Sequence, residues 1–228
     1  MSRDDLFNIN AKIVKGLAEA CAKNCPKAIV LLITNPVNSV VPIACEVFKK
    51  AGCFDAKRII GVSTLDVLRA NTFLAKKLDC DVNHADVPVI GGHAGETILA
   101  LFSQAKPSTS GLSQQDIVAL DKHVQDAGTE VVEAKAGAGS ATLSMAYAAS
   151  KFADAVIRAQ TTKDVVIECC YVNNGGDDYI AGKVQLGPGG AEKLLPNGPL
   201  SSYEQKRFDE AKAKLAGDIK TGLTFARA

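Results

Sequence analysis

The chain has 228 residues, of which 47% are hydrophobic and 22% are charged, and its formal net charge is +1. This composition predicts a globular protein with a core of its own, and the nearly balanced charge argues against a nucleic-acid partner. No apolar run approaches the length of a membrane span, so no membrane partner is expected either. Seven scattered cysteines without a Cys-x-x-Cys pair indicate a reducing compartment and no metal site.

The first part of the chain alternates helices and strands. Apolar residues at three- to four-residue spacing predict a helix over residues 4–24. The continuous apolar run over 28–34 predicts a strand buried on both faces, as in a parallel sheet. A second helix is expected from about residue 40 to 50, followed by a short strand over 58–62. This order predicts an α/β fold with part of a doubly wound parallel sheet.

The remainder of the chain mixes hairpins with helices, which predicts an α+β domain. We therefore place a domain boundary at residue 63, with domains over 1–62 and 63–228. The elements predicted after the boundary are a helix over 63–78, a hairpin with arms 87–90 and 97–102, a helix over 113–135 that Gly128 could break, a helix from about 143 to 160, strands over 164–172 and 179–186, and a last helix over 202–225.

A Gly-Gly-His-Ala-Gly turn over residues 91–95 is the first candidate for chemistry. Glycines permit positive φ and close approach of another backbone or a ligand. A histidine at position 93 can take or give a proton near neutral pH. The alternative is an ordinary hairpin turn with an incidental surface histidine.

Three further residues are candidates with simpler alternatives. Asn35 follows the most buried strand, at the edge where open α/β sheets bind ligands, or it belongs to a plain turn. Asp66 and Arg69 are three residues apart and project from one side of a helix. One interpretation is a surface ion pair. The other is a functional pair, in which Asp66 orients a histidine and Arg69 binds a substrate carboxylate.

The order of four longer motifs carries a family resemblance. They are Asn-Pro-Val-Asn from residue 35, Gly-Val-Ser-Thr-Leu-Asp-x-x-Arg from 61, Val-Ile-Gly-Gly-His-Ala-Gly from 89 and Ala-Gly-Ser-Ala-Thr-Leu-Ser-Met from 138. Along its whole length the chain resembles malate dehydrogenases of the mitochondrial and bacterial type, within the lactate/malate dehydrogenase family. The resemblance implies a partial Rossmann-like sheet, the remainder of an NAD-binding domain over 1–62, followed by an α+β catalytic domain over 63–228. It also implies NAD as cofactor, a small dicarboxylate substrate, interconversion of malate and oxaloacetate as in the tricarboxylic acid cycle, and a homodimer or homo-oligomer.

The resemblance implies a role for each site residue. His93 matches the proton acceptor and donor, and Asp66 matches the carboxylate that pairs with it. Arg69 matches the arginine that binds the C1 carboxylate of the substrate, and Arg3 matches the arginine that polarises the reacting carbonyl. Asn35 matches an asparagine near the substrate and the nicotinamide. Positions that match NAD contacts of the family are Asn10, Ile33, Thr34, Asn35 and Met145.

The chain also departs from the family pattern. The family begins with a βαβ unit that carries Gly-x-Gly-x-x-Gly and an acidic residue for the ribose, and these 228 residues contain neither. The mobile-loop arginine that separates malate from lactate has no match. We therefore expect a chain that lacks roughly the first 80 residues of the family, about the size of one βαβαβ half, with little activity on its own.

Two alternatives stay open at this point. One is a lactate dehydrogenase-like enzyme. The other is a non-catalytic short form that pairs with a full-length subunit through residues 4–24 and the segment after Gly139. The family type and the cysteines together predict the mitochondrial matrix or the cytoplasm as the location.

Overall fold

The structure, a computed structural model, describes residues 3–136 and 139–228, and it describes side chains from Phe7 onward. These residues form an α/β fold with one mixed sheet, as the sequence predicts. The helices are α1 (Arg3–Asn24), α2 (Val37–Lys50), α3 (Thr64–Leu78), α4 (Gln114–Ala134), α5 (Leu143–Thr161) and α6 (Ser202–Arg227). The strands are β1 (Val30–Leu32), β2 (Ile59–Gly61), β3 (Val89–Gly91), β4 (Ile98–Ala100), β5 (Val166–Gly175), β6 (Asp178–Gly187) and β7 (Gly190–Leu194).

The sheet joins a parallel part to an antiparallel part. Its strand order is β1-β2-β5-β6-β3-β4, and β7 pairs with β6. β1 and β2 are parallel, whereas the later pairs are antiparallel. The predicted doubly wound part is thus represented by β1, α2 and β2. Because β1 pairs only with β2 among the described residues, it forms one edge of this sheet.

Helix α2 is the centre of the larger core cluster. Its residues from Val37 to Phe48 are all buried, because α1, α6 and the sheet surround it. A helix that is covered on every side is expected to be apolar nearly all round, and α2 fits that rule apart from a few polar residues with specific partners. A Cβ added to Gly61 would lie 2.7 Å from the Val37 side chain, so α2 packs directly against β2.

Four details differ from the sequence predictions. The predicted strand over 28–34 is regular only over Val30–Leu32, and α2 begins at Val37 rather than near residue 40. Helix α4 passes through Gly128 without a break, since a helix that packs on neighbours tolerates the ~1 kcal/mol cost of one glycine. β7 was not predicted, because Gly190–Leu194 contains two charged residues and no alternation. Its pairing with β6 makes it a strand.

No helix within the described ranges is long and apolar enough to cross a membrane.

Candidate active site

The His93 turn, defined as residues 92–97, joins the antiparallel strands β3 and β4. Gly91 has a φ of +94°, and a Cβ added there would lie 2.3 Å from the carbonyl oxygen of Thr97. A Cβ on Gly92 would lie 2.5 Å from the Thr97 hydroxyl oxygen. Only residues without a side chain allow the two arms to approach this closely. The turn therefore holds His93 in a buried position, with 8% of its surface exposed.

Asp66, in the first turn of α3, pairs with this histidine. The His93 Nδ1 atom lies 2.5 Å from Oδ2 of Asp66, which is fully buried. A carboxylate accepts hydrogen bonds, so Nδ1 carries the proton and Nε2 is the nitrogen left for proton exchange. Burial lowers the pKa of His93, but the charge and hydrogen bond of Asp66 outweigh burial, and the pKa stands above its ordinary value of 6.5.

Arg69 lies one turn further along α3, beside the same carboxylate. Its Nη1 atom is 3.5 Å from Oδ1 of Asp66, and its side chain is 15% exposed. The pair is therefore no surface ion pair, which was the simpler alternative. The cationic guanidinium opposes the effect of Asp66 on the pKa of His93. Its planar fork of donors suits an anionic, carboxylate-bearing ligand.

The other predicted residues lie near the carboxyl end of β1. Asn35 is exposed, and its carbonyl accepts a hydrogen bond of 2.7 Å from Nδ2 of Asn10. Ile33 is 43% exposed and Thr34 is half-buried. Met145, half-buried near the start of α5, packs against the core cluster that contains Ile60 and Val62. The side chain of Arg3 lies outside the described residues.

One buried polar residue at this site was missed in the sequence, although it stands inside the Asn-Pro-Val-Asn motif. Asn38 is fully buried, and its Oδ1 accepts a hydrogen bond of 2.8 Å from the backbone N–H of His93. Its Nδ2 donates to Thr97 Oγ1 at 3.1 Å and to Asp218 Oδ2 at 2.8 Å. Asn38 therefore links the His93 turn to α6.

The chemistry open to this arrangement is limited by its residue types. The described part of the chain holds no group of three or more His, Cys, Asp or Glu side chains that could bind a metal ion. Its seven cysteines are free thiols. A buried histidine–carboxylate pair beside a guanidinium defines a site for acid–base chemistry on an anionic substrate.

Comparison with known proteins identifies the family to which the chain belongs. The family model described as lactate/malate dehydrogenase, alpha/beta C-terminal domain, matches residues 63–226, and the model described as lactate/malate dehydrogenase, NAD binding domain, matches residues 1–61. The chain therefore belongs to the lactate/malate dehydrogenase family, as the motif order predicts.

Individual relatives agree with this assignment. The chain is 57% identical to the glyoxysomal malate dehydrogenase of Citrullus lanatus, over 100% of this chain and 64% of that protein. It is 55% identical to the mitochondrial malate dehydrogenase of the same plant, over 100% of this chain and 66% of that protein. The chain thus spans about two thirds of the length of these relatives.

Solved structures show the same fold. The malate dehydrogenase of Cryptosporidium parvum has a TM-score of 0.82 at 25% identity, over 98% of this chain and 73% of that chain. The apo malate dehydrogenase of Picrophilus torridus has a TM-score of 0.82 at 23% identity, over 99% of this chain and 71% of that chain.

Proposed function

We propose that the protein is an NAD-dependent malate dehydrogenase, which interconverts malate and oxaloacetate. The observation that carries the proposal is the buried pair of His93 and Asp66 with Arg69 against the same carboxylate. The family membership and the names of the relatives support the same reaction. No observation favours the lactate dehydrogenase-like alternative or the non-catalytic short form.

His93 is the proposed acid and base. In malate oxidation, Nε2 takes the proton of the C2 hydroxyl, and the resulting imidazolium is stabilised by the Asp66 carboxylate at Nδ1. In oxaloacetate reduction, the imidazolium returns that proton to the oxygen at C2. Asp66 also holds the ring in the tautomer that leaves Nε2 without a proton.

Arg69 is the proposed partner of the substrate's C1 carboxylate. A guanidinium offers two parallel donors, which match the two oxygens of a carboxylate in position and charge. Its low exposure strengthens this attraction, because little water screens the pair. We propose Arg3 as a second cation that polarises the reacting carbonyl, on the strength of the motif match alone.

The proposed cofactor contacts are Asn10, Ile33, Thr34, Asn35 and Met145. Ile33 is apolar and exposed, and the amides of Asn10 and Asn35 lie near it. These residues are near the carboxyl end of the parallel strand β1, where α/β sheets bind ligands, and this position fits a nicotinamide. When bound there, NAD would supply the hydride acceptor for C2 of malate, and NADH would supply the hydride donor for oxaloacetate.

The direct test is oxaloacetate-dependent oxidation of NADH by the purified protein. We expect His93→Asn to lower kcat by about 10²–10⁴-fold, the usual contribution of a general acid or base. His84→Asn, at an exposed histidine, is the matched control and should keep the turnover of the unmodified protein. Faster turnover of pyruvate than of oxaloacetate would favour a lactate dehydrogenase. No turnover of either substrate, combined with mixed dimers formed with a longer subunit, would favour the non-catalytic form.

The 228 residues on their own are expected to bind NADH weakly. They contain no Gly-x-Gly-x-x-Gly turn, the usual anion site for the pyrophosphate. In the described sheet, β1 pairs on one side only. In a fluorescence titration, we expect at least about tenfold weaker binding than by the Citrullus lanatus glyoxysomal relative, since one lost charged hydrogen bond already costs about 1.5–3 kcal/mol. Micromolar affinity with ordinary turnover would contradict this.

We propose two domains, over residues 1–62 and 63–228. The change from parallel to antiparallel strand pairing supports this division, because the parallel pair β1–β2 ends at Gly61. Cooperative unfolding of residues 63–228 expressed alone would agree with it, and an unfolded product would not.

We also propose that two copies of the chain form a homodimer. Three apolar residues at four-residue spacing on α1 are exposed, namely Ile9, Ile13 and Leu17, and Leu143 and Tyr147 near the start of α5 are exposed as well. An apolar stripe along a helix is a typical surface for a partner helix. Ile13→Glu should shift the mass measured by light scattering towards the monomer, whereas Lys12→Glu should not.

For location we propose a reducing compartment, the mitochondrial matrix or the cytoplasm. Seven free thiols support this proposal. The relatives' names include mitochondrial, glyoxysomal and peroxisomal forms. Imaging of the tagged protein in its own cells would test it, and a peroxisomal pattern would contradict it.

A further inference from the structure

Asn38 lies between the histidine and the last helix, and its amide group is fully used. Its Oδ1 accepts from the backbone N–H of His93 at 2.8 Å, and its Nδ2 donates to Asp218 at 2.8 Å and to Thr97 at 3.1 Å. A carboxylate can only accept and a backbone N–H can only donate. The amide therefore has one orientation that satisfies both partners, and Asp218 selects that orientation.

The partners of Asn38 hold the His93 turn on both sides of the histidine. The Thr97 hydroxyl donates to the carbonyl of Ala94 at 2.8 Å and accepts from the N–H of Ala94 at 3.1 Å. The N–H of His93 itself is bound by Asn38. A shift of the Asn38 amide would thus move the histidine backbone relative to Asp66, which belongs to a different element.

The backbone of Asn38 is fixed as well. Pro42, four residues later in α2, has no N–H to donate to the carbonyl of Asn38. The hydroxyl of Tyr171 on β5 donates to that carbonyl instead, at 3.2 Å. Because Pro42 leaves the carbonyl of Asn38 without its helical partner, that carbonyl can accept from Tyr171 and so connect α2 to the sheet.

Helix α6 reaches this position because it packs very closely on α2. A Cβ on Gly222 would lie 2.1 Å from the carbonyl oxygen of Ser39, so the contact requires a glycine. The Ser39 hydroxyl donates to the backbone carbonyl of Asp218 at 2.9 Å, and this hydrogen bond fixes the position of Asp218 along the axis of α2.

We propose that Asn38 and Asp218 are positioning residues for His93, through which α6 sets the alignment of the histidine with Asp66. The role in turnover rests on the proposed malate dehydrogenase function, whereas the alignment itself does not depend on it. A displacement of about 1 Å at a reacting group can lower a rate by about 100-fold. The pair therefore acts on kcat rather than on substrate binding, which falls to Arg69.

The test exchanges the two side chains. Asn38→Asp places a carboxylate against Asp218, and the repulsion should displace the side chain and lower kcat by about 10- to 100-fold with a smaller change in KM. The double variant Asn38→Asp with Asp218→Asn restores a donor opposite an acceptor. In the double variant, residue 38 still accepts from His93 but can no longer donate to Thr97, so kcat should recover at least about threefold relative to Asn38→Asp without reaching the original value.

A titration of the His93 ring by NMR gives a readout independent of turnover. His93→Asn identifies its signals among those of the three histidines. Asn38→Ala should lower the pKa of His93, because the ring loses its alignment with Asp66. The exchanged pair should raise that pKa, since a carboxylate then lies beside the histidine backbone.

Asn71→Ala is the matched control, because Asn71 binds the backbone N–H of Val87 at 2.8 Å but lies outside this network. It should cost stability, because the N–H of Val87 loses its partner, and it should leave the pKa of His93 unchanged. Should Asn38→Ala fail to fold, the exchanged pair alone decides. The inference is overturned if the double variant is as impaired as Asn38→Asp, or if Asn38→Ala and Asn71→Ala give the same His93 pKa. Turnover that is undetectable even at saturating NADH would instead contradict the proposed function and leave the NMR comparison valid.

Discussion

Nδ1 of His93 lies 2.5 Å from Oδ2 of Asp66, although the two residues are 27 positions apart in the chain. His93 stands in a hairpin turn of the antiparallel part of the sheet, and Asp66 stands in the first turn of α3. The pair is buried, so the two charges stabilise each other, while Arg69 stabilises the Asp66 carboxylate and opposes the charge on His93. This relationship leads to the first three predictions.

Asp66→Asn should remove most of the activity. An amide can replace the carboxylate in size, but it carries no charge to stabilise the imidazolium and can hold the ring in the wrong tautomer. We expect kcat for oxaloacetate reduction to fall by about 10²–10⁴-fold. Asp154→Asn removes a carboxylate from an exposed ion pair with Arg158 and is the control. If both variants lose less than about threefold, the assignment of Asp66 is wrong.

The pH dependence of the two reaction directions should be opposite. The pKa of His93 stands above 6.5 because Asp66 outweighs the effect of burial. Reduction of oxaloacetate uses the protonated ring and should decline as pH rises through that pKa, whereas malate oxidation should increase. Profiles of kcat/KM against pH measure this dependence. In Asp66→Asn, the decline of reduction and the rise of oxidation should both occur at lower pH, because the pKa of His93 falls.

The same pair contributes to stability with a defined sign. The folded pKa of His93 is raised above the unfolded value, so the contribution is fully present below about pH 6.5 and is lost as pH rises through the folded pKa. Melting temperatures of the unmodified protein and His93→Gln should therefore differ most at acid pH. A difference that grows towards alkaline pH would contradict this assignment of the sign.

Much of this fold and part of the site could be predicted from the sequence, for physical reasons. The three-residue spacing of Asp66 and Arg69 places both on one side of α3, and periodicity locates helices such as α1 and α6. Contacts across the fold carry no such local signal. Asn38 and Asp218 are 180 residues apart, and only the packing of α6 on α2 joins them. β7 was missed for the same reason, because pairing rather than composition makes it a strand.

Arg69→Lys should act on substrate binding more than on turnover. The ammonium keeps the charge but loses the two-pronged fork that matches a carboxylate. We expect KM for oxaloacetate to rise by roughly 10- to 100-fold, corresponding to one charged hydrogen bond of about 1.5–3 kcal/mol, with a smaller change in kcat. Arg158→Lys, in an exposed pair with Asp154, should leave KM unchanged. A loss confined to kcat would place Arg69 in the chemical step instead.

A second buried charge pair, between Asp121 on α4 and Arg207 on α6, should stabilise the fold. Asp121 is fully buried, and its Oδ2 lies 3.2 Å from Nε of Arg207. The Oδ2 atom also accepts hydrogen bonds of 2.8 Å from Tyr203 and from Gln125. Burial, followed by the charge of Asp121, raises the pKa of Tyr203, so the phenol stays a donor. Arg207 also donates to the carbonyl of Glu96 in the His93 turn, at 3.3 Å.

Arg207→Met should therefore destabilise the protein by about 3 kcal/mol or more, because it leaves Asp121 buried without its cation. Replacing both charges, as in Asp121→Leu with Arg207→Met, should recover most of that loss, since no unpaired charge remains. Lys214→Met removes an exposed partner of Glu96 and should change stability by no more than about 0.5 kcal/mol. Denaturant unfolding of the four proteins measures these differences. A double variant less stable than Arg207→Met would show that the hydrogen bonds of Tyr203 and Gln125 to the carboxylate matter more than the charge pair.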